Sequence, residues 1–343
     1  MILFYTDLHI GKHTLFDEPT DSGYGLRLDN IIECAKWIAD QIREHKPKLV
    51  INGGDTINAI DRAVSITADV MSAVGKCIGE INDACLDVGS NHIVMLGNHD
   101  KFNESGDISA IDIFEYFNDI LVIKEPEVIE FMGYNLVFLP HMKDYKEADS
   151  WFESYEGKDV IAFSHLDVVG VSLNSNYSLE EGIDVDCGMS VYNGHIHMHG
   201  RKGSVLNVGS PMQHRYAESS EKHGVILIKD DLSEVFIKND VSPNLYKIND
   251  LKALKSLSDN SYVWFEYDPR EKSLSEVKKK TKRFRKVYLT ELKVPIKMES
   301  RVEVEGKSEV EIFRSYMKDV CDTELDKGEL IKQGCEIINK YIE

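Results

Sequence analysis

The sequence predicts an α/β fold, and three observations carry that prediction. Over residues 2–100, apolar strand-like runs alternate with helical stripes, as in a sheet built from β-α-β units. Each run ends in polar residues beside glycine, as at Gly97-Asn98-His99-Asp100. Open α/β sheets gather ligands at such strand C-terminal ends. A second β-α-β pattern, over about residues 262–292, follows a change of character near residue 240.

Residues 2–6 read as the first strand, and an extended continuation puts Asp7 and His9 on one side with Leu8 on the other. That carboxylate and imidazole can grip one metal ion; a surface Asp and a loop His are the plainer alternative. Leu28, Ile31, Ile32, Ala35, Ile38, Ala39 and Ile42 form a helical stripe over residues 28–45, stopped by Pro47. Residues 48–52 are the second strand, ending in Gly53-Gly54-Asp55. A long helix is expected over about 62–88, then a strand from Ile93 into Gly97, where glycine frees the backbone for a tight turn.

From about residue 120, short strands are expected at 121–123, 128–131 and 136–139, a helix at 144–155, and a buried strand at 160–163 that ends in Ser164-His165. Residues 170–186 read as an irregular acidic loop, and Val191-Tyr192-Asn193 leads into Gly194-His195-Ile196-His197. Strands near 204–208, 224–229 and 234–238 complete a first domain over residues 1–240. Ser242-Pro243-Asn244 reads as a linker to a small domain over 241–300. The helix of that domain, about 273–284, opens the densest basic run of the chain: Lys278, Lys279, Lys280, Lys282, Arg283, Arg285 and Lys286. Such a run is either a solvated face or a clamp for a phosphate backbone. Residues 301–343 are expected to be helical and amphipathic, with Ile312, Tyr316 and Val320 on one stripe and Leu330, Ile331, Ile337, Ile338 and Tyr341 on another. A stripe of this kind folds back on its own domain or docks onto a partner helix.

The 343 residues suffice for one large core and one or two smaller units. A net charge of −19 argues against a passive nucleic-acid coat. It leaves room for an enzyme that meets DNA through metal ions and a local basic patch. The six cysteines show no Cys-x-x-Cys spacing, so neither a zinc finger nor a disulfide framework is implied. Reduced thiols in a cytoplasm are expected. Met1 leads directly into strand-like Ile2-Leu3-Phe4-Tyr5, so no signal peptide is expected. No apolar run approaches the ~18 residues of a membrane span.

Asp7, His9, Asp55, Asn98, His99, His165, His195 and His197 come from five separate strand ends. Oxygen and imidazole donors without thiolates suit Mn²⁺, Mg²⁺, Fe or Zn²⁺. One carboxylate can touch two ions, so Asp55 is a candidate bridge. Two ions ~3.5–4 Å apart clamp an in-line displacement at phosphorus.

Asp-x-His, Gly-Asp, Gly-Asn-His-Asp, an isolated His and Gly-His-x-His, in this order over residues 7–197, resemble the calcineurin-like metallophosphoesterases. Asp7-Leu8-His9-Ile10-Gly11 and Arg27-Leu28-Asp29 are similar to the SbcD-type double-strand-break repair nucleases, and the length is similar to that of the recombination nuclease subunit of large phages. The resemblance implies a β-sandwich flanked by helices, a small β-α-β cap and C-terminal amphipathic helices. It implies two divalent ions, Mn²⁺ foremost: one on Asp7, His9 and His197, the other on Asn98, His165 and His195, with Asp55 bridging. His99 then faces the phosphate and protonates the leaving oxygen, while Asp100 either orients local groups or braces the turn. The implied activity is exonuclease and endonuclease cleavage in DNA end processing, recombination and repair. The implied assembly is a homodimer carrying an SbcC-type coiled-coil ATPase on the C-terminal helices, in the cytoplasm (a bacterial host's, for a phage protein).

One departure bears on the chemistry. The nuclease branch reads Gly-Asp-Leu-Phe-His where this chain has Gly54-Asp55-Thr56-Ile57-Asn58. Asn58 therefore replaces a second active-site histidine; it can hydrogen-bond a phosphate but cannot act as an acid. His199 reads as flanking its loop, and His13, His92, His141, His214 and His223 receive no role. Two other functions fit the same residues. A phosphatase or phosphodiesterase for small or protein substrates leaves the basic run unexplained. A non-catalytic scaffold between an ATPase and DNA leaves the full ligand set unexplained.

Overall fold

The computed structural model describes residues 1–59, 66–155, 159–174, 177–183, 186, 188–219, 222–292 and 306–341. Residues 1–291 form one compact unit and residues 292–343 a second. Among the described residues no helix is long and apolar enough to cross a membrane.

Two six-stranded sheets make the body of the first unit. In chain order the strands are β1 (Ile2–Tyr5), β2 (Leu49–Asn52), β3 (Asn91–Met95), β4 (Ile120–Ile123), β5 (Glu127–Phe131), β6 (Tyr134–Leu139), β7 (Val160–Ser164), β8 (Ser172–Asn174), β9 (Tyr177–Ser178), β10 (Ser190–Asn193), β11 (Gly200–Lys202), β12 (Val205–Asn207), β13 (Gly224–Ile228) and β14 (Glu234–Lys238). The first sheet runs β14-β13-β1-β2-β3-β4, and β1 through β4 are parallel. The second runs β11-β12-β10-β7-β6-β5, and β12, β10, β7 and β6 are parallel. β8 and β9 pair antiparallel within the stretch expected to be an irregular loop.

Alternation along each strand explains the layering. Ile2, Phe4, Ile51, Ile93 and Met95 of the first sheet meet Leu136, Phe138, Ile161, Phe163 and Tyr192 of the second in one core. Rings continue across it: Phe163 stacks on Phe4 at 5.5 Å, on Phe138 at 5.4 Å and on Tyr192 at 5.7 Å. The opposite face of the first sheet, Leu3, Tyr5, Val50 and Val94, lies under helices α1 (Leu26–His45) and α2 (Ala68–Val88). The outer face of the second, Val137, Leu139 and Ala162, lies under α3 (Tyr145–Tyr155). Strands covered on both faces read as near-continuous apolar runs, which is why β1, β2 and β7 do not alternate and turn polar only at the last residues of β2 and β7, Asn52 and Ser164.

Helix α1 stops where Lys46 takes a left-handed φ of 48° and Pro47 follows. Helix α2 begins after Thr67; the earlier start expected near residue 62 falls partly in residues 60–65, outside those described.

The small β-α-β unit gains a strand. β15 (Asn244–Ile248), β16 (Ser261–Tyr267) and β17 (Lys286–Glu291) form a parallel sheet with β16 central, and α4 (Leu274–Thr281) makes the crossover between β16 and β17. The expected linker at 242–244 is a bonded joint instead. The buried Asn239 side chain accepts N–H bonds from Val241 and Ser242 and donates to Pro211 O and Ser242 Oγ. One face of the small sheet has its own core of Leu254, Val263, Phe265, Val277 and Phe284. On the other, Leu245 and Tyr262 pack on Phe16. In the second unit, α5 (Glu309–Asp319) starts in a Ser308–Glu311 capping box and packs on α6 (Lys327–Tyr341), burying Met317 and Cys335.

Candidate metal centre

Parallel strands deliver their C-terminal ends to one edge, so the loops after β1, β2, β3, β7 and β10 converge. Backbone bonds join the first two: Asp7 N–H donates to Gly54 O at 3.0 Å, His9 N–H to Asp55 O at 2.9 Å and Ile10 N–H to Thr56 O at 2.9 Å. The Asp100 carboxylate, fully buried, accepts N–H bonds from Gly97 (2.9 Å), Ile57 (2.8 Å) and Thr56 (3.4 Å). It thereby braces the third loop against the second. A Cβ on Gly97 would lie 2.1 Å from Asp55 N, so only glycine permits this approach. His195 N–H donates to Asp7 Oδ2 at 3.1 Å and joins the two sheets.

The loops reach the centre by backbone turns rather than by extended alternation. β1 ends at Tyr5, and Asp7, His9, Asp55 and His195 have φ of 57°, 47°, 51° and 70°. Left-handed non-glycine residues cost about 1–3 kcal/mol each and cluster at functional sites. Asp7 and His9 do share a side while Leu8 enters the core, but successive left-handed turns achieve it.

Two clusters of donor atoms result. In the first, His9 Nε2 and His197 Nε2 are 2.9 Å apart, and Asp7 Oδ1 is 3.8 Å from each. In the second, Asn98 Oδ1 lies 3.1 Å from His165 Nε2 and 2.9 Å from His195 Nδ1. Asp55 sends one oxygen to each: Oδ2 is 3.6 Å from His9 Nε2 and Oδ1 is 3.3 Å from His165 Nε2. His99 adjoins the first, its Nε2 3.9 Å from Asp55 Oδ2 and its ring edge-on to His9. By distance alone, Asp7-His9-His197, His9-Asp55-His99 and Asp55-His165-His195 could each hold an ion. The centre thus brings together all eight residues singled out from sequence.

The donor chemistry fits divalent cations. Asp7 Oδ1 is fully buried and has no hydrogen-bond partner among the described residues, an expensive state that a cation relieves. Imidazole and oxygen donors with no thiolate match the borderline-to-hard ions. Burial penalises the charged form of His165, yet the Asp55 and Asp7 carboxylates and the Gly53 carbonyl together outweigh it and lift the ring to about 9. Burial likewise disfavours the Asp55 anion, but His165, His9 and His99 together hold it well below the ordinary carboxylate range. Burial, helped by the neighbouring His197, His99 and His13, sets His9 well below its ordinary value against the pull of Asp55.

Each of three inward-facing histidines has its outer nitrogen bound. His165 Nδ1 donates to Gly53 O at 2.7 Å, His197 Nδ1 pairs with Glu218 Oε1 at 2.9 Å, and His195 Nε2 pairs with Asp167 Oδ1 at 3.0 Å. Such outer partners fix the tautomer and aim the free nitrogen. Sequence reading missed Asp167 and Glu218. Asp167 follows His165 by two residues, a spacing that could have flagged it; Glu218 carries no local signal. Asn58 Oδ1 accepts from His99 Nδ1 at 2.9 Å, so Asn58 holds the His99 ring.

Among the unassigned histidines, His214 donates from Nε2 to Asp7 O at 3.1 Å, and His13 stacks on it at 5.2 Å. His199 lies against Phe236 at 4.2 Å, outside both clusters. In the basic run, Lys280 pairs with Glu276, Arg283 with Asp259, Arg285 with Glu33 and Lys286 with Glu18. Lys278, Lys279 and Lys282 are exposed and have no partner among the described residues.

A family model described as calcineurin-like phosphoesterase matches residues 1–199. No curated protein matches the sequence. A dimetal phosphatase from Danio rerio is a similar solved structure, at 10% identity and a TM-score of 0.40, covering 69% of this chain and 98% of its own. Yfce, a phosphoesterase from E. coli, is another, at 12% identity and a TM-score of 0.31, covering 69% of this chain and 99% of its own.

Proposed function

The chain belongs to the calcineurin-like phosphoesterase family and is a metal-dependent phosphoesterase; from that premise we propose that it is a two-metal DNA nuclease, with Mn²⁺ the working ion. Asp7, His9 and His197 would hold one ion and Asn98, His165 and His195 the other, with Asp55 available to both. Ions bound there would supply Lewis acidity toward a phosphoryl oxygen and toward the attacking water.

The protein's own part is orientation and proton transfer. Asn58 keeps the His99 proton on Nδ1, which leaves Nε2, 3.9 Å from Asp55 Oδ2, open to a second proton. Burial holds His99 below its ordinary value; a phosphate anion alongside raises it. The ring then takes a proton on Nε2 and passes it to the leaving oxygen. With Asn58 in place of a second histidine, His99 is the acid.

The observation that carries the DNA reading is the unpaired basic cluster at the end of α4. Lys278, Lys279 and Lys282 stand exposed in a chain of net charge −19, and phosphate backbones are bound by such clusters. The small sheet that bears them is tied to the centre: Gln213 bonds both the N–H and the C=O of Leu245, next to His214. A homodimer and an SbcC-type ATPase on the C-terminal helices complete the proposal. The internal pairing of the other four basic residues favours a second reading, a phosphatase for small or protein substrates. The test is Mn²⁺-dependent cleavage of single- and double-stranded DNA by wild type, His99→Ala and Asp55→Ala. Equal cleavage by all three removes the mechanism. Turnover of p-nitrophenyl phosphate without DNA cleavage establishes the second reading instead.

A further inference from the structure

Outside the ligand set, one chain of hydrogen bonds leads from the second cluster to the protein's outer layer. His195 faces the cluster through Nδ1, whereas its neighbour in the same Gly-His-x-His turn, His197, faces inward through Nε2. The two rings must therefore be held in opposite senses, and different carboxylates hold them. Glu218 serves His197. Asp167 serves His195, with Oδ1 on Nε2 at 3.0 Å, and its Oδ2 accepts the Tyr145 hydroxyl at 2.5 Å.

Asp167 is itself well placed. It lies two residues beyond His165, and the fully buried Asn193 side chain clamps the intervening Leu166, accepting its N–H at 3.0 Å and donating to its C=O at 2.9 Å. Asp167 O also accepts the N–H of Ile183 at 2.9 Å. With both backbone sides held, the carboxylate can turn only about its own side-chain torsions. Tyr145 closes one of its two oxygens and leaves the other for His195. Tyr145 opens α3, whose Phe152 is anchored in the outer core, so the hydroxyl is presented from a fixed helix end.

We propose that Asp167 and Tyr145 are a positioning pair for the second metal ion, fixing His195 as the tautomer whose Nδ1 lone pair faces that ion. This rests on the two-metal reading above. Asp167, ionised, can only accept, so the proton of His195 stays on Nε2 and the metal-facing nitrogen stays free. Without Asp167 the imidazole exchanges its proton between nitrogens and rotates, and part of the metal-binding free energy goes to re-ordering it. Without Tyr145 the carboxylate keeps its charge but loses one of its two anchors, which weakens the same site less.

Calorimetric titration of Mn²⁺ into the metal-free, full-length protein tests the pair independently of any cleavage assay. Wild type is expected to show two binding events. Asp167→Asn, which keeps shape and fold, should weaken one event about 10- to 100-fold and leave the other within about twofold. Tyr145→Phe should weaken the same event about 2- to 10-fold, the worth of one hydrogen bond. Glu218→Gln should weaken the other event. With ¹⁵N-labelled histidine, His195 in wild type should give the Nε2–H pattern, and Asp167→Ala, which removes the acceptor, should lose it. Unchanged affinities in both variants, or equal weakening of both events by Asp167→Asn, overturn the pair while the two-metal reading stands. A wild type that binds no second ion overturns that reading, and the pair with it.

Discussion

Asn58 shows how one substitution redistributes chemistry at the residue scale. Its amide oxygen accepts from His99 Nδ1, so it acts on the ring rather than on a phosphate. Asn58→Ala should lower kcat for phosphodiester cleavage about tenfold, within the range for a weakened general acid, and leave KM within about twofold. A raised KM with unchanged kcat would assign Asn58 to substrate binding instead. His92 makes a second residue-scale case, far from the centre. It is buried between Asn82 and Tyr5, and burial pushes its pKa down to about 4 from the ordinary 6.5. The folded state therefore binds fewer protons than the unfolded state between those values. Its contribution is present above about pH 6.5 and is lost as pH falls toward 4, amounting to about 3 kcal/mol. Urea midpoints measured from pH 7 to pH 4 should fall less steeply in His92→Gln than in wild type.

At the scale of elements, the loops do the catalytic placement and the strands do the stabilising. Gly97 shows how closely the β2 and β3 loops meet, since its added Cβ would lie 2.1 Å from Asp55 N and 2.2 Å from Asp55 Oδ1. Gly97→Ala should cost about 3 kcal/mol or more, as strain at a fixed backbone approach does. It should also weaken Mn²⁺ binding, read by calorimetry. Phe163 tests the other role. It is fully buried and stacks on three rings between the sheets. Phe163→Ala should destabilise by about 3–5 kcal/mol, and because β7 continues into His165, the unfolding midpoint and the metal affinity should fall together.

The whole molecule divides into a unit holding the centre and the small sheet, residues 1–291, and a helical unit, residues 292–343. All eight site residues and the α4 lysines lie in the first. Deleting residues 308–343 should leave Mn²⁺-dependent cleavage of simple substrates intact while abolishing co-purification with a coiled-coil ATPase. Loss of soluble, folded protein on deletion would instead make the helices part of the fold. The small sheet is expected to be inseparable from the centre, because Gln213, Asn239 and Phe16 join it to the sandwich.

By itself the sequence determined the α/β class, most strand positions and the eight residues of the centre. Those are written locally: apolar runs specify strands, and each run carries its polar cluster on its own C-terminal end. Only the tertiary structure decided that Asp7 and His9 share a side through left-handed turns, that Asp100 braces two loops, and that Asn239 makes a joint of an apparent linker. It also decided which nitrogen each histidine turns inward. Asp167 and Glu218 set that choice from 28 and 21 residues away in sequence, through hydrogen bonds that exist only once the loops have met. A bond between distant loops depends on two backbone paths at once, and neither path is recorded in the few residues around the histidine it holds.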